Sequence, residues 1–344
     1  MLAQVLHRFE GPRGLVLEEI PEPAIEADDE VLLDVVACGV CHRDITYSYG
    51  KFGGGKLPTV LGHEAVGRVA DAGDGVVDLA AGDRVVHLQF PSCGACEWCR
   101  GDRPQLCRSV RGAVGEVRQG AYAARIVLPR HLLVRVPDEL DDPAAAIAGC
   151  AIGTAYHALR LYGFEPRGRT VAVNGAAGGV GIHAIQVAKA LGARVVAVTS
   201  SEEKEDAIRR AGADEVVVAP GGRYRLALSR LTDRRGVDLF LEVVGAPTLQ
   251  ESVLSVAPAG RVVVTGNPEG GTCVFNPALL ILRGELRMYG TLALTARELE
   301  AVLGLMSAGE VRAVIDTEAP LADLPEQMRR MEARATVGRV VVRT

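Results

Sequence analysis

The run Val171-Ala172-Val173-Asn174-Gly175-Ala176-Ala177-Gly178-Gly179-Val180-Gly181 constrains this chain more than any other feature. It couples a β-branched strand, through a tight glycine turn, to the start of a helix, and it opens a regular alternation. Thr170 to Val173 reads as strand, Val180 to Leu191 is apolar at helical spacing, and Arg194 to Val198 is strand again. Glu202 to Ala211 (helix), Glu215 to Val218 (strand), Leu226 to Leu231 (helix), Val237 to Val244 (strand), Pro247 to Val256 (helix) and Arg261 to Thr265 (strand) continue it. Strands alternating with helices at this period predict a doubly wound parallel sheet. In such a sheet glycine is needed where the backbone approaches a pyrophosphate and where helix packs closely on strand. Ala176, preceded by Gly175, stands at the first glycine position; Gly178 and Gly181 hold the later ones, with Gly179 and Val180 between them. The run predicts an α/β dinucleotide-binding domain.

The end of the second strand chooses between dinucleotides. A carboxylate there, about 20 residues beyond the turn, would bond the adenosine ribose diol and repel a 2′-phosphate. This chain has Thr199-Ser200-Ser201, with Lys204 one turn further on. Hydroxyls and a cation suit a phosphate. Glu202 and Glu203 count against it unless, as helix-start acids, they face solvent. The reading favours NADP(H) over NAD(H).

Before Cys150 the texture differs. Val31 to Val36, Gly67 to Val69, Asp83 to Val86 and Ile126 to Leu128 are aliphatic runs bounded by Gly, Asp or Pro, with no helix-period segment between them. A β-rich, barrel-like lobe is expected, with a boundary near residue 150. The 344 residues, 48% hydrophobic, can bury two cores. With 24% charged residues, and no run of ~18 uncharged apolar ones, the chain is neither disordered nor a membrane bundle. Met1 to Glu10 lacks the basic flank and long apolar core of a signal peptide, so a cytoplasmic location is expected. A net charge of −5, spread without blocks, disfavours a nucleic-acid partner.

In a reducing compartment clustered thiols point to metal before disulfides. Cys93-x2-Cys96-x2-Cys99-x7-Cys107 places four soft ligands within 15 residues, as a tetrahedral Zn²⁺ site requires. No ~12-residue helix-forming insert or histidine pair follows, which excludes a DNA-binding finger. Four cysteines leave no open ligand position in the lobe, so its zinc is structural. Cys41, His63 and Cys150 are dispersed. Two cysteines and a histidine with a vacant fourth position make a catalytic zinc set. Taken singly, Cys150 reads equally as a small core residue and His63 as a satisfied turn histidine. Cys38 and Cys273 read as small buried residues.

Together these residues resemble the zinc-containing medium-chain dehydrogenase/reductase family, whose best-known members are alcohol dehydrogenases. The resemblance rests on Glu18-Glu19-Ile20-Pro21-Glu22-Pro23, Gly62-His63-Glu64, Ala81-Gly82-Asp83-Arg84-Val85, the four-cysteine lobe, the glycine turn and Val337-Gly338-Arg339-Val340. It implies a chaperonin-10-like (GroES-like) catalytic domain, residues 1–151 and 293–344, carrying a structural zinc lobe at 93–107. It implies a Rossmann dinucleotide-binding domain at 152–292. By the same resemblance Cys41, His63 and Cys150 bind the catalytic zinc, Glu64 is an exchangeable ligand beside it, and Asp44 orients the ligand imidazole. His42 and Arg339 fall where the family contacts cofactor phosphates, and Thr154 where it touches the nicotinamide. Two Zn²⁺ per chain are implied, as is a homodimer or homotetramer joined through an edge strand at Leu286 to Thr291.

Two positions depart from the alcohol dehydrogenases. Where those enzymes carry Ser or Thr two residues after the first zinc cysteine, this chain has Arg43; in place of the relay histidine it has Thr46. With a pKa above ~12, arginine cannot relay a proton as a neutral group, but it can hold a substrate anion or polarise an oxygen. It reads equally as a surface or cofactor-phosphate cation. Cys41-His42-Arg43-Asp44, the helix Gly181 to Ala193 and Thr199 to Lys204 are similar to the acryloyl-CoA reductase branch, whose enzymes reduce an activated double bond with NADPH. The expected function is zinc-dependent hydride transfer between a nicotinamide and a small carbonyl/alcohol substrate. NADPH-dependent reduction of an activated C=C bond is the alternative, and a non-catalytic dinucleotide-binding protein a third.

Overall fold

The aliphatic runs of the sequence become two separate sheet systems, in a computed structural model that describes residues 1–344 except 53, 54, 111, 269 and 283. Unit 1 comprises Met1–Gly153, Ala293–Ala308 and Ile315–Thr344; unit 2 comprises Thr154–Leu292 and Gly309–Val314.

Unit 1 begins with β1 (Leu2–Leu6), β2 (Leu15–Glu19), β3 (Glu30–Val40), β4 (Thr59–Val60), β5 (Ala65–Ala72), β6 (Arg84–His87), β7 (Arg125–Pro129) and β8 (Leu133–Arg135). The first, second and fourth make a small antiparallel sheet. Strand β3 organises the larger one, pairing antiparallel with both β5 and β7. Its side chains alternate between buried and half-buried as far as Val36, as a strand with one wet face must. From Ala37 to Val40 every residue is buried. That last stretch leads into Cys41. The expectation that no helix interrupts this lobe is corrected by short helices at His42–Ser48, Glu97–Arg100 and Asp142–Ala146. They are too short for helical periodicity to show in sequence. Two are held by side-chain caps, Cys41 Sγ accepting from Arg43 N and the Asp141 carboxylate from Ala144 N.

Unit 2 carries β9 (Thr170–Val173), β10 (Arg194–Thr199), β11 (Glu215–Val218), β12 (Val237–Glu242), β13 (Val256–Val264) and β14 (Arg287–Gly290). All pair in parallel, in the order β11-β10-β9-β12-β13-β14. That is the doubly wound order, in which the direction of winding reverses between β9 and β12. Val171, Ala172, Val195, Val196, Leu239 and Phe240 are fully buried, as helices on both faces of a parallel sheet require. The helix expected over Pro247 to Val256 is Leu249–Ser255, and β13 starts at Val256 instead of Arg261. Pro258, with no N–H, cannot continue a helix. Cys38 is buried as expected, whereas Cys273 is only partly so.

The chain returns to unit 1 with β15 (Ile315–Pro320) and β16 (Arg339–Arg343), which complete a sheet of order β15-β16-β3-β5-β6-β8. Among the described residues no helix is long and apolar enough to cross a membrane.

Candidate active site

Unit 1 gathers four donors from distant segments. Cys41 follows β3, His63 and Glu64 precede β5, and Cys150 sits in a π-helical turn, Ala148–Ile152. One ligand atom from each lies within 4.8 Å of every other. Cys41 Sγ is 4.0 Å from Cys150 Sγ, Cys150 Sγ 3.7 Å from His63 Nε2, and that nitrogen 3.8 Å from Glu64 Oε1. A tetrahedron with bonds of 2.3 Å has edges of about 3.8 Å, so these separations fit a zinc ion. Both Glu64 oxygens are buried without an aligned hydrogen bond, although Oε1 forms a close ion pair, 3.0 Å, with Arg339 Nη2. Burial raises the Glu64 carboxyl to about 7, against the opposing pull of Arg339. The Cys41 thiol, hydrogen-bonded to Cys150 and facing Arg339 and His63, is held well below the usual thiol range, while the same hydrogen bond, burial and the charge of Cys41 push Cys150 up.

The imidazole is held from behind. Asp44, buried on the helix His42–Ser48, takes His63 Nδ1 at 3.0 Å, leaving Nε2 to face the thiols. Burial disfavours the His63 cation, but Asp44 and Cys41 outweigh it and raise the ring well above its ordinary value. Tyr122, which sequence reasoning missed, donates its hydroxyl to Asp44 Oδ2 at 2.8 Å. Burial and Asp44 push its phenol well above the ordinary value, so it remains a donor. Arg339 is buried, its Nη1 donating to Val40 O at 3.2 Å and its Nη2 standing 3.7 Å from Cys150 Sγ. His42 is exposed, and Thr46 turns its hydroxyl back to His42 O at 2.8 Å. Arg43 forms a bidentate pair with Glu116.

The second thiol cluster is equally complete. Cys93, Cys96, Cys99 and Cys107 bring their sulfurs within 4.8 Å of one another. Separations of 3.9, 3.5 and 3.9 Å for the pairs 93–99, 96–99 and 96–107 match tetrahedral edges. The Ser109 hydroxyl and the N–H groups of Ala95 and Cys96 lower Cys93 to about 6, toward the thiolate a metal needs.

In unit 2 the turn after β9 behaves as its glycines require. Gly175 has φ +56°, and a Cβ at Gly181 would fall 2.2 Å from Gly175 O. The helix Gly179–Ala190 starts at Gly178 with no side-chain cap, which leaves its first N–H groups for an anion. At the end of β10 Thr199 is buried, Ser201 N donates to Thr199 Oγ1 at 3.2 Å, Ser200, Glu202 and Glu203 are exposed, and Lys204 is half-buried. Thr154 lies half-buried in the helix Gly153–Arg160. Sequence reasoning missed a buried carboxylate at the end of β12. Glu242 accepts from Asn174 Nδ2 (2.6 Å), Thr248 Oγ1 (3.0 Å), Val244 N (2.9 Å), Gly245 N (2.8 Å) and the Ser252 hydroxyl. It ties the glycine turn to the strand across the reversal point.

A metal set of dehydrogenase type in one unit and a dinucleotide turn in the other define the class of this protein, a metal-assisted dinucleotide oxidoreductase. Comparison with known proteins agrees. Residues 27–138 match the alcohol dehydrogenase GroES-like domain, and residues 179–308 match the zinc-binding dehydrogenase family. An acryloyl-coenzyme A reductase of Sulfurisphaera tokodaii is 35% identical over 335 residues, 97% of this chain and 98% of that one. An alcohol dehydrogenase of Geobacillus stearothermophilus is 33% identical over 348 residues, 100% of this chain and 99% of that one. The crystal structure of AibC superposes with a TM-score of 0.92 at 41% identity, covering 100% of this chain and 95% of the other. The chain belongs to the zinc-containing medium-chain dehydrogenase/reductase family, near its acryloyl-CoA reductase branch. It is a zinc-dependent, alcohol dehydrogenase-like oxidoreductase that uses a nicotinamide cofactor.

Proposed function

We propose that the chain transfers hydride between NADP(H) and the carbonyl carbon of a small carbonyl/alcohol pair. The observation that carries this reading is the convergence of Cys41, His63 and Cys150 with Glu64 beside them. These four residues would hold a zinc ion, which supplies Lewis acidity toward a carbonyl oxygen. The nicotinamide supplies or takes the hydride at its C4. Asp44 fixes the tautomer of His63, and Tyr122 fixes Asp44. Glu64, paired with Arg339, is the donor most easily exchanged for substrate oxygen. The helix start at Gly178, Gly179, Val180 and Gly181 takes the pyrophosphate, and His42 and Arg339 reach cofactor phosphates. Thr154 contacts the nicotinamide. Thr199, Ser200, Ser201 and Lys204 take the 2′-phosphate, the exposure of Glu202 and Glu203 favouring NADP(H). A second, structural zinc in the 93–107 lobe makes two per chain. Assembly as a homodimer or homotetramer through the edge strand at Leu286 to Thr291, and a cytoplasmic location, complete the reading.

One observation favours reduction of an activated C=C bond instead. Arg43 is bound to Glu116 and Thr46 to its own helix, so neither position offers the neutral proton relay an alcohol needs. The two chemistries separate by NADPH consumption with saturated aldehydes against 2-enals and acryloyl-CoA. Turnover with the unsaturated substrates alone would overturn the first reading.

A further inference from the structure

Arg43 is held as a plane. Its Nε donates to Glu116 Oε1 at 2.6 Å and its Nη2 to Glu116 Oε2 at 2.8 Å, a side-on bidentate pair. The rings of Phe52 and Phe90 lie against the guanidinium, 4.8 and 5.1 Å from its carbon. Glu116 is fixed in turn by Ala113 N at 2.9 Å. The two side chains are 28% and 11% exposed, dry enough for their mutual charge to matter. Among the described residues Nη1 has no hydrogen-bond partner, so the end-on edge of the guanidinium, one N–H from each Nη, is left over.

Both partners are tied to the metal set. Arg43 N donates to Cys41 Sγ at 3.5 Å. The turn carrying Glu116 is bound to the segment before His63, through Thr59 Oγ1 to Gly115 O at 3.2 Å. It is bound to the segment before Cys150 through Val114 N to Gln89 O at 2.9 Å and Gln89 Nε2 to Gly149 O at 3.0 Å. All three ligand segments therefore anchor the backbone that carries Arg43 and Glu116.

An unpaired guanidinium prefers a carboxylate, which meets it with charge and geometry together. A guanidinium already neutralised keeps its N–H donors and loses that preference, and an added carboxylate meets the charge of Glu116 as well. Packing between two rings removes the ordering cost of using the edge. We propose that Arg43 and Glu116 form a specificity device, in which the free edge of Arg43 donates to the oxygen of an uncharged carbonyl compound (aldehyde, ketone, ester or thioester) while Glu116 excludes carboxylates. This deepens the hydride-transfer reading and applies to C=O and C=C reduction alike.

The test is calorimetric titration of zinc-loaded, NADPH-saturated protein with propanamide and with propanoate, isosteric and differing in charge. Wild type binds propanamide at least tenfold more tightly. Glu116→Gln keeps the shape and frees the cation, so the ratio moves at least tenfold toward propanoate. The Arg43→Gln/Glu116→Gln double variant returns it to within about threefold of wild type. A ratio unmoved in Glu116→Gln that retains the wild-type circular dichroism overturns the proposal. If that variant does not fold, wild type decides alone, since propanoate binding as tightly as propanamide also overturns it. Failure of the functional reading is seen separately, as absence of NADPH turnover with both propanal and 2-propenal.

Discussion

Removing the Tyr122 hydroxyl tests whether the metal set is held from behind. In Tyr122→Phe the fully buried ring stays, and the hydroxyl is lost with its donation to Asp44 Oδ2 at 2.8 Å and its contact to Gly39 O at 3.2 Å. Asp44 keeps its 3.0 Å contact to His63 Nδ1 but has no described partner on its other oxygen. A hydrogen bond to a buried charged group is worth about 1.5–3 kcal/mol. Loss of a residue that orients a metal ligand lowers metal affinity by about 10–100-fold, a free energy of the same size. If the hydroxyl acts through Asp44 on His63, most of its worth should reappear as lost zinc affinity at the Cys41, His63 and Cys150 set, with the four-cysteine set unaffected. Chelator titration with zinc counted per chain reads this directly. One ion should leave at about 10–100-fold lower chelator activity, with the other unchanged. A variant that loses about 1.5–3 kcal/mol of stability while both ions stay at wild-type affinity would refute the chain from Tyr122 to His63.

Other outcomes follow from the same geometry. Cys41→Ala should abolish turnover and remove one zinc while leaving the fold intact by circular dichroism, whereas Cys96→Ser should remove the other zinc and destabilise the lobe. Full turnover in Cys41→Ala would refute the catalytic assignment. Gly181→Ala would put a Cβ 2.2 Å from Gly175 O, so NADPH binding should fall at least tenfold by fluorescence titration, and unchanged affinity would refute the fingerprint reading. His87 is fully buried, and burial lowers its pKa from 6.5 to about 4, its bond to Leu88 O opposing. A lowered folded-state pKa means the unfolded chain binds the proton first, so stability is present above pH 6.5 and is lost as pH falls toward 4, by roughly 3 kcal/mol at most. His87→Gln should flatten that part of the pH–stability curve in urea titrations, and an unchanged slope would show that other groups set it.

What the sequence made legible was local. The four-cysteine lobe is visible because its ligands share 15 residues, and the glycine turn because strand, turn and helix are consecutive. Cys41, His63 and Cys150 have the residue types of a zinc set, but only resemblance joined them, since spacing says nothing about convergence across a sheet. Tyr122, Glu116 and Glu242 left no pattern to find. Their partners Asp44, Arg43 and Asn174 lie 78, 73 and 68 positions away, joined by folding alone. Arg43 shows the limit most clearly: its residue type suggested a free cation, and only the structure supplies the carboxylate and rings that neutralise and clamp it.

The place of Arg339 sets an order of assembly during synthesis. Its Nη1 donates to Val40 O, 299 positions back, and its strand pairs with β3, from which Cys41 departs. The whole of Thr154–Leu292 is translated between Cys150 and that strand. At ribosomal rates of 5–20 residues per second, roughly 15–60 s separate Val40 from the arginine that will meet it. Through the later part of that interval Cys41, His63, Glu64 and Cys150 are made, but Glu64 lacks its counter-charge and β3 lacks its pairing with β16. The dinucleotide sheet has by then every strand it needs, so Arg339 is the last residue of the metal surroundings to be made.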